Sequence, residues 1–320
     1  MSRFVVALAF AMGTFSAANA ETYPNKPINL VVPFAPGGTV NLTARLLATR
    51  MSEVLGQAVV VDNRAGAGGN IGAAYVARAK SDGYTLLYAT PANQVIQPLL
   101  SRNLPYSPSK DFKPVALFAT VPNVLAVSEN TPAKNMAELL RYAKANPGKL
   151  NMGSAGMGSA NHMLGELFML RTGTAFTHVP YKGAGPATAD LLAGQVQVLF
   201  VNLPTVQPYI KPGKVRVLGI ASKERSPAIP EIPTLDELGI KDANTESWSA
   251  LMAPANTSPQ VIKKLQDTVI SIANETSTIQ QLVAQGARPL PGTAADLQKL
   301  INDDTKRWTE VIQHAKVQID

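Results

Sequence analysis

The residues with the clearest chemical potential lie in a glycine-rich turn between the first apolar run and the first amphipathic helix. The turn reads Pro33-Phe34-Ala35-Pro36-Gly37-Gly38-Thr39-Val40-Asn41. Two adjacent glycines let the backbone bring its N–H groups close to a ligand, and Thr39 or Asn41 can cap the helix. A helix start with free N–H groups and a positive dipole end favours a carboxylate. We therefore predict ligand contacts by Phe34, Pro36, Gly37, Gly38, Thr39 and Asn41.

Two more turns follow strands in the same way. The first, Asn63-Arg64-Ala65-Gly66-Ala67-Gly68-Gly69-Asn70, fails the dinucleotide-binding pattern Gly-x-Gly-x-x-Gly because its third glycine position is Ile71, and no phosphate-loop lysine follows. It is either a plain tight turn or a ligand contact through Ala67 and Gly68. The second contains Thr90 and Asn93. Loops at the carboxyl ends of parallel strands line the crevice of an open α/β sheet, where we expect both turns.

The middle of the chain has a turn of small residues, Gly153 to His162, at another strand-to-helix transition. Its hydroxyls and backbone N–H groups suit a carboxylate, which makes candidates of Ser154, Gly156, Gly158, Ser159 and His162. A hydrolase nucleophile in Gly-x-Ser-x-Gly is excluded at Ser154 because Met152 stands two residues before it. His162 is either a base or, more typically for a histidine one turn into a helix, a structural residue. Three histidines in the whole chain make a histidine metal site improbable, and we predict no metal.

Two later turns complete the set of candidates. Val179 to Pro186 contains Tyr181 and Lys182, and Phe200 to Pro204 contains Val201, Asn202 and Pro204. Lys182 either pairs with a ligand carboxylate or is a solvated loop lysine. Phe34 and Pro204 are candidates for an apolar floor that sets the length and shape of the ligand.

Composition and charge narrow the class of protein. Hydrophobic residues make up 46% and charged residues 16% of the chain, which is typical of a globular protein. The absence of cysteine excludes disulfides, thiolate nucleophiles and cysteine metal sites. The formal charge is +7, but the basic residues are scattered without interleaved aromatics, so attraction of small anions is favoured over nucleic acid. We predict no cofactor and no nucleic-acid partner.

The N-terminus has the three parts of an export signal. Arg3 precedes an apolar stretch from Phe4 to Phe15, and Ala18-Asn19-Ala20 forms a small-x-small cleavage site. We predict cleavage after Ala20 and export to the periplasm; the alternative is an uncleaved anchor. Removing Arg3 with the signal leaves a net charge of +6.

The apolar pattern predicts an α/β fold in two domains. Short β-branched runs alternate with amphipathic helices, beginning with a strand over Ile28–Phe34 and a helix that ends at Gly56, and a later helix is predicted over Met136–Ala145. The run Phe112–Ser128 is broken by Pro122, which indicates the first crossing between domains, and a short helix is predicted over Leu235–Leu238. The predicted division is 1–20 signal peptide, 21–122 plus 247–320 first domain, and 123–246 second domain.

Several of these segments together resemble the Bug family, the extracytoplasmic receptors of tripartite tricarboxylate transporters. The similar segments are Val32–Gly38, Asn63–Gly69, Gly158–His162, Val179–Gly183 and Asp190–Gly194. The resemblance implies a type II periplasmic-binding-protein clamshell, each domain a mostly parallel sheet flanked by helices. It also implies a carboxylate held mainly by backbone amides and water, and a transporter with one large and one small membrane subunit. We expect a monomer.

Two departures from the family pattern bear on the ligand. Position 41 is often Asp in relatives and is Asn here, and Gln197 and Asn202 stand where relatives often have Asp. Fewer carboxylates near the cleft leave less to bind an ammonium group. We therefore expect an aliphatic dicarboxylate, a hydroxylated tricarboxylate or an aromatic carboxylate in preference to an amino acid.

The sequence also leaves two rival functions open. One is an exported hydrolase that uses Ser154 or Ser159 with His162. The other is a sensor that signals to a membrane histidine kinase and transports nothing. The main prediction remains a binding protein that is not an enzyme.

Overall fold

The computed structural model describes residues 23–243 and 245–315. The predicted signal peptide, residues 1–20, lies outside the described residues. Within the described chain, no helix is both long and apolar enough to cross a membrane.

The chain begins with the predicted alternation of parallel strands and helices. The elements are β1 (Ile28–Val32), α1 (Thr39–Leu55), β2 (Val59–Asn63), α2 (Asn70–Ala77) and β3 (Thr85–Ala89). β1 ends two residues earlier than predicted, because Pro33 follows and has no N–H to donate. Helix α1 ends where predicted, at a left-handed Gly56 whose N–H donates to the Ser52 carbonyl.

The segment after β3 contains short helices that the sequence did not predict. A π-helical turn covers Ala92–Ile96, and α3 (Gln97–Leu100) and α4 (Pro108–Asp111) follow it. The apolar run then forms one strand of 17 residues, β4 (Phe112–Ser128), which continues through Pro122. The strand can continue through the proline because its pairing partners change at this point. Residues up to Pro122 pair with one set of strands, and residues from Asn123 pair with another. A proline is tolerated at such a change of partner, where a ladder hydrogen bond is dispensable.

The second half of the chain repeats the alternation and then returns. Its first elements are α5 (Met136–Ala145), β5 (Asn151–Ser154), α6 (Ala160–Thr172), β6 (Thr177–Pro180), α7 (Ala184–Leu192), β7 (Val198–Asn202), α8 (Leu203–Ile210) and β8 (Val215–Ala221). The closing elements are β9 (Glu246–Pro254), α9 (Pro259–Asn274), α10 (Thr276–Ala284), β10 (Arg288–Gly292) and α11 (Ala294–Ala315). Helix α8 and strand β10 were not predicted.

The predicted helix over Leu235–Leu238 is wrong. These residues form turns, in which the Leu238 N–H donates to the Thr234 carbonyl. Gly239 follows with φ of 82°, which ends the turn before a second helical hydrogen bond can form.

The strands form two sheets that share β4, and each sheet with its helices is called a lobe here. Lobe 1 has the order β2-β1-β3-β9-β4-β10, with Phe112–Pro122 of β4. Lobe 2 has the order β8-β4-β7-β5-β6, with Asn123–Ser128 of β4. The two-domain α/β fold is therefore confirmed, but each sheet is mixed rather than mostly parallel. In each sheet three neighbouring strands are parallel. In lobe 1, β9 pairs antiparallel with β3 and β4, and in lobe 2, β4 pairs antiparallel with β7 and β8.

Each sheet is buried on both faces, which explains the continuous apolar runs in the strands. In lobe 1, α1 and α9 cover one face, whereas α2, α3 and α11 cover the other. In lobe 2, α5 and α6 pack on one face and α7 and α8 on the other. In this arrangement, the loops that follow the parallel strands of lobe 1 lie against the corresponding loops of lobe 2.

Candidate functional site

A cavity lies between the lobes where their strand–helix loops meet. Lobe 1 lines it with the β1–α1 loop and the loop after β3, and lobe 2 with the loops before α6, α7 and α8. The lining residues are Phe34, Ala35, Gly38, Thr39, Val40, Asn41, Thr43, Thr90, Pro91, Ala92, Val121, Ala155, Ser159, Ala160, Asn161, Ala184, Asn202, Ser247, Trp248 and Ser249.

The N-termini of four helices converge on this cavity. The first residues of α1, α6 and α7 line it, as does Asn202, the N-cap residue of α8. Helices α1, α7 and α8 have no hydrogen bond from the side chain of their own N-cap residue, whereas the Ser159 hydroxyl caps α6 by accepting from the His162 N–H. The first-turn N–H groups of α7 and α8 are therefore available to a ligand or to water.

No charged side chain is among the residues that line the cavity in the described part of the chain. The helix N-termini supply positive partial charge there, each equivalent to roughly half an elementary charge. Hydroxyl and amide groups supply the remaining polar contacts. Such a site suits a small anion with oxygen acceptors, and the apolar part of the lining suits a short carbon skeleton.

Direct hydrogen bonds join the lobes around the cavity. The Ala35 N–H donates to the Lys182 carbonyl at 3.1 Å, and the Thr39 N–H donates to the Thr205 hydroxyl at 3.0 Å. The two lobes also touch along a line of contact around the cavity, called the seam here. At its other end, the Gln97 side-chain amide donates to the Met157 carbonyl at 2.5 Å. These contacts describe a closed arrangement, in which Thr205 of lobe 2 caps the helix start of lobe 1.

A buried polar network forms the floor of the cavity at the crossing between lobes. Its centre is Asn123, which is fully buried in β4. The Asn123 Oδ1 accepts hydrogen bonds from the side chains of Asn161, Asn202 and Ser247 at 3.1, 2.7 and 3.4 Å. The Asn123 Nδ2 donates to the Thr245 carbonyl at 3.0 Å. One asparagine thus links both lobes and both crossing segments.

Seven of the twenty predicted site residues line the cavity. They are Phe34, Gly38, Thr39, Asn41, Thr90, Ser159 and Asn202. Five others lie at the seam around it, where the lobes touch backbone to backbone: Pro36, Gly37, Gly68, Gly156 and Lys182. Lys182 contributes its carbonyl there, and its side chain is exposed.

The remaining eight predicted residues are outside the cavity lining. Ala67 is exposed on the outer side of its loop, whereas Val201 and Pro204 are buried within lobe 2. Asn93 is fully buried and donates to the Thr90 hydroxyl, and the Tyr181 hydroxyl donates to the Asp190 carboxylate. The other three, Ser154, Gly158 and His162, belong to a histidine cluster behind the β5–α6 loop.

The histidine cluster holds the β5–α6 loop in place. The rings of His162 and His178 stack with centroids 4.0 Å apart, and the His178 Nε2 lies 2.6 Å from the Ser154 Oγ. The His162 Nδ1 accepts from the Gly158 N–H at 3.1 Å, and its Nε2 lies 3.3 Å from Glu166. Ser154 is fully buried, so the partner of this serine is His178 and its hydroxyl faces the interior. The rival hydrolase would pair Ser154 with His162, but the imidazole within hydrogen-bond distance of Ser154 is that of His178.

Burial, and next the neighbouring His162, lowers the pKa of His178 to about 4. Between the ordinary pKa of about 6.5 and pH 4, the unfolded chain binds more protons at this position than the folded chain, so stability falls as the pH falls. A His178→Gln variant should therefore lose less stability than wild type between pH 6.5 and 4.5. Urea unfolding across this range measures the difference. The two proteins should show parallel pH dependence above pH 7; parallel curves throughout would contradict the expectation.

Several residues at the cavity were missed by sequence reasoning. Asn161 stands in a recognised motif, but nothing indicated that its side chain faces the cleft. Val121 and the Ser247–Ser249 segment reach the cavity, and Asn123 reaches the network beneath it, because β4 crosses between the lobes and the chain returns to lobe 1 before β9. The detectable signal was the position of Pro122 next to an asparagine in an otherwise apolar run.

One of the three residues that depart from the family pattern lies away from the cavity. The Gln197 side chain accepts from the Asn151 N–H and donates to the Gly194 carbonyl, at the end of β7 opposite the cleft. Its expected influence on the ligand is therefore wrong. Asn41 and Asn202 do line the cavity, and the Asn41 side chain donates to Asn63 and accepts from Arg45.

Comparison with known proteins agrees with this geometry. Residues 43–317 match the family described as the tripartite tricarboxylate transporter family receptor. The chain is similar to the protein BugT of Bordetella pertussis, with 38% identity over 317 residues, 98% of this chain and 97% of the relative.

Two solved structures with bound ligands are also similar. One is Rpa4515 of R. palustris with adipate, at 38% identity and a TM-score of 0.90, covering 92% of this chain and 99% of that one. The other is MatC of Rhodopseudomonas palustris with bound malate, at 32% identity and a TM-score of 0.87, covering 91% and 100%.

Proposed function

Because this chain belongs to the tripartite tricarboxylate transporter receptor family, and is a periplasmic solute-binding receptor of that class, we propose that it captures a small carboxylate between its lobes for such a transporter. The observation that carries the proposal is the convergence of four helix N-termini on a cavity that no charged side chain of the described residues lines. A carboxylate supplies acceptors for the uncapped first turns of α7 and α8. Arginine and lysine are not needed for the charge to be stabilised.

The lining favours a ligand without an ammonium group. An ammonium group is best held by carboxylates, and the described lining contains none. Similar proteins have been solved with adipate and with malate, which are both dicarboxylates without an amino group. A di- or tricarboxylate or an aromatic carboxylate is therefore the proposed cargo.

We expect the ligand to favour closure of the two lobes, because the closed form makes more contacts with the ligand than the open form does. The open form can bind the ligand with one lobe, and the closed form adds the helix starts of the other, so the ligand stabilises closure by the added interactions. The proposed lobes are residues 21–122 with 247–320, and residues 123–246. The proposed receptor is a monomer, exported with cleavage after Ala20, that delivers its ligand to one large and one small membrane subunit.

A thermal-shift screen of small carboxylates on the protein Glu21–Asp320 tests the proposal. A ligand at ~100-fold excess over its Kd adds about 2.7 kcal/mol of stability, or roughly 5 °C in Tm for a chain of this size. We expect at least one carboxylate to give this shift and the matching amide or alcohol to give none. Absence of a shift with dicarboxylates, tricarboxylates and aromatic acids alike would contradict it.

The two rival functions, a hydrolase and a sensor, can each be tested by a separate experiment. The Ser154 hydroxyl is buried against His178 and outside the cavity lining, which disfavours a hydrolase built on it. Ester turnover that is lost in a His178→Ala variant would support the hydrolase instead. Co-purification of the loaded receptor with a kinase ectodomain, but not with the transporter subunits, would support the sensor.

A further inference from the structure

The buried network at the floor of the cavity determines which atoms the lobes present to the ligand. The carbonyl of Thr245 can only accept, so the Asn123 atom that lies 3.0 Å from it must be the NH₂ group. The reversed orientation would place two oxygens in contact. The orientation of Asn123 is thus decided by backbone chemistry and not by an arbitrary choice between its nitrogen and oxygen.

The orientation of Asn123 decides that of two neighbours. Its Oδ1 lies 3.1 Å from the side chain of Asn161 and 2.7 Å from that of Asn202, and an oxygen can only accept. Both neighbours must therefore turn their NH₂ groups toward Asn123. Their own amide oxygens accept no hydrogen bond from any described residue, and both residues line the cavity. The network leaves two acceptors, and no amide donor, from these side chains for the ligand.

We propose that Asn123 is a positioning residue that orients the amide oxygens of Asn161 and Asn202 toward the ligand, and so selects carboxylates that carry a hydroxyl group over those that carry none. The proposal rests on the proposed function of the cavity. The helix N-termini bind the carboxylate, and the two amide oxygens accept from a hydroxyl on the carbon skeleton. A skeleton without a donor leaves these buried acceptors unpaired, which is unfavourable.

Matched pairs of acids, compared by calorimetry, test the preference in the wild-type protein. Suitable pairs are malate with succinate, citrate with tricarballylate, and mandelate with phenylacetate. We expect the hydroxylated member of the pair that binds to be about tenfold tighter. Equal or weaker binding of the hydroxylated member, with either member bound tightly, would overturn the inference and leave the proposed function intact. Failure of every acid to bind would overturn both.

Variants test whether Asn123 acts through its neighbours. Asn123→Leu keeps a similar side-chain volume but releases Asn161 and Asn202 to turn their NH₂ groups toward a carboxylate. The tenfold preference should therefore fall to about one, with the non-hydroxylated acid bound as well as before or better. General damage to the fold would instead weaken both acids alike, and so would contradict the proposal.

Two further variants complete the test. Asn202→Leu removes one acceptor directly and should also reduce the preference, so it substitutes for Asn123→Leu if that variant does not fold. Asn274→Leu, on the exposed end of α9, is the matched control and should keep the full preference. Thermal unfolding of each free protein establishes that it is folded before titration.

Discussion

A Gly185→Ala variant should bind the carboxylate at least ~100-fold more weakly than wild type, without loss of stability in the free protein. Gly185 lies in the first turn of α7, directly against the β1–α1 loop of the other lobe. A Cβ at this position would overlap the Pro36 carbonyl oxygen and lie 3.2 Å from the Gly37 backbone. These are main-chain atoms, which cannot move aside as a flexible side chain can. The added methyl group should therefore hold the lobes apart, and alanine is otherwise favoured in a helix.

The magnitude follows from the loss of contacts that only the closed form makes. A ligand held by one lobe loses the N–H groups of the other, and a loss of about 3 kcal/mol corresponds to ~100-fold in Kd. Calorimetry measures the affinity, and small-angle scattering at saturating ligand should show that the variant keeps the larger radius of gyration of the open form. Wild-type affinity combined with a compact loaded form would contradict the expectation.

Substitutions of increasing size at Gly38 test the same contact between the lobes. A Cβ there would lie 3.2 Å from the Cβ of Ala184 and 3.6 Å from the backbone nitrogens of Ala184 and Gly185. Gly38→Ala should therefore cause a small loss of affinity, and Gly38→Val, with its branched side chain, a large one without unfolding. Equal affinity of Gly38→Val and wild type would remove the β1–α1 loop from the site.

An Asn202→Asp variant should bind the anionic ligand ~100-fold more weakly at neutral pH. The side chain of residue 202 lines a cavity that otherwise holds no charged side chain among the described residues. A carboxylate there repels a carboxylate ligand, and two unit charges about 5 Å apart interact by about 3 kcal/mol at an effective dielectric constant of 20. The ionised aspartate also cannot donate to the Asn123 Oδ1, as Asn202 does at 2.7 Å.

The pH dependence of ligand affinity distinguishes an effect of the introduced carboxylate charge from a steric effect of the substitution. A protonated aspartate is neutral and can donate to Asn123, so affinity relative to wild type should recover as the pH is lowered. Asn202→Ser, which is neutral and keeps a donor, is the control and should lose much less affinity at pH 7. Affinity of Asn202→Asp that is low at every pH would contradict a charge effect, and wild-type affinity at pH 7 would place residue 202 away from the ligand.

Much of the fold could be predicted because its elements have local signals. Helix α1 has an apolar face and ends at Gly56, and α5 was predicted over Met136–Ala145, the range it has in the structure. The failures occurred where tertiary pairing overrides local preference. Pro122 does not end β4 because the strand changes partners there, and Leu235–Leu238 has helix-forming residues but only one turn of hydrogen bonds before Gly239.

In the candidate site, too, the features with local signals could be predicted and those that depend on tertiary contacts could not. Glycine-rich turns after strands correctly indicated the loops that meet at the cavity, since helix starts of this kind have a recognisable composition. Individual side chains were harder to place. Gln197 directly precedes β7 and Asn202 ends it, yet Gln197 bonds within lobe 2 and only Asn202 reaches the cavity.

The amino-acid sequence by itself determined the alternation of strands and helices, the glycine-rich character of the loops, and the family to which the chain is similar. Hydrophobic period and turn composition are local properties, and they need no knowledge of distant contacts. Only the tertiary structure decided that Asn123, Asn161, Asn202 and Thr245 form one network, because these residues are joined by two crossing segments far apart in the chain. The direction in which a buried amide points depends on every partner around it, and those partners meet only in the folded protein.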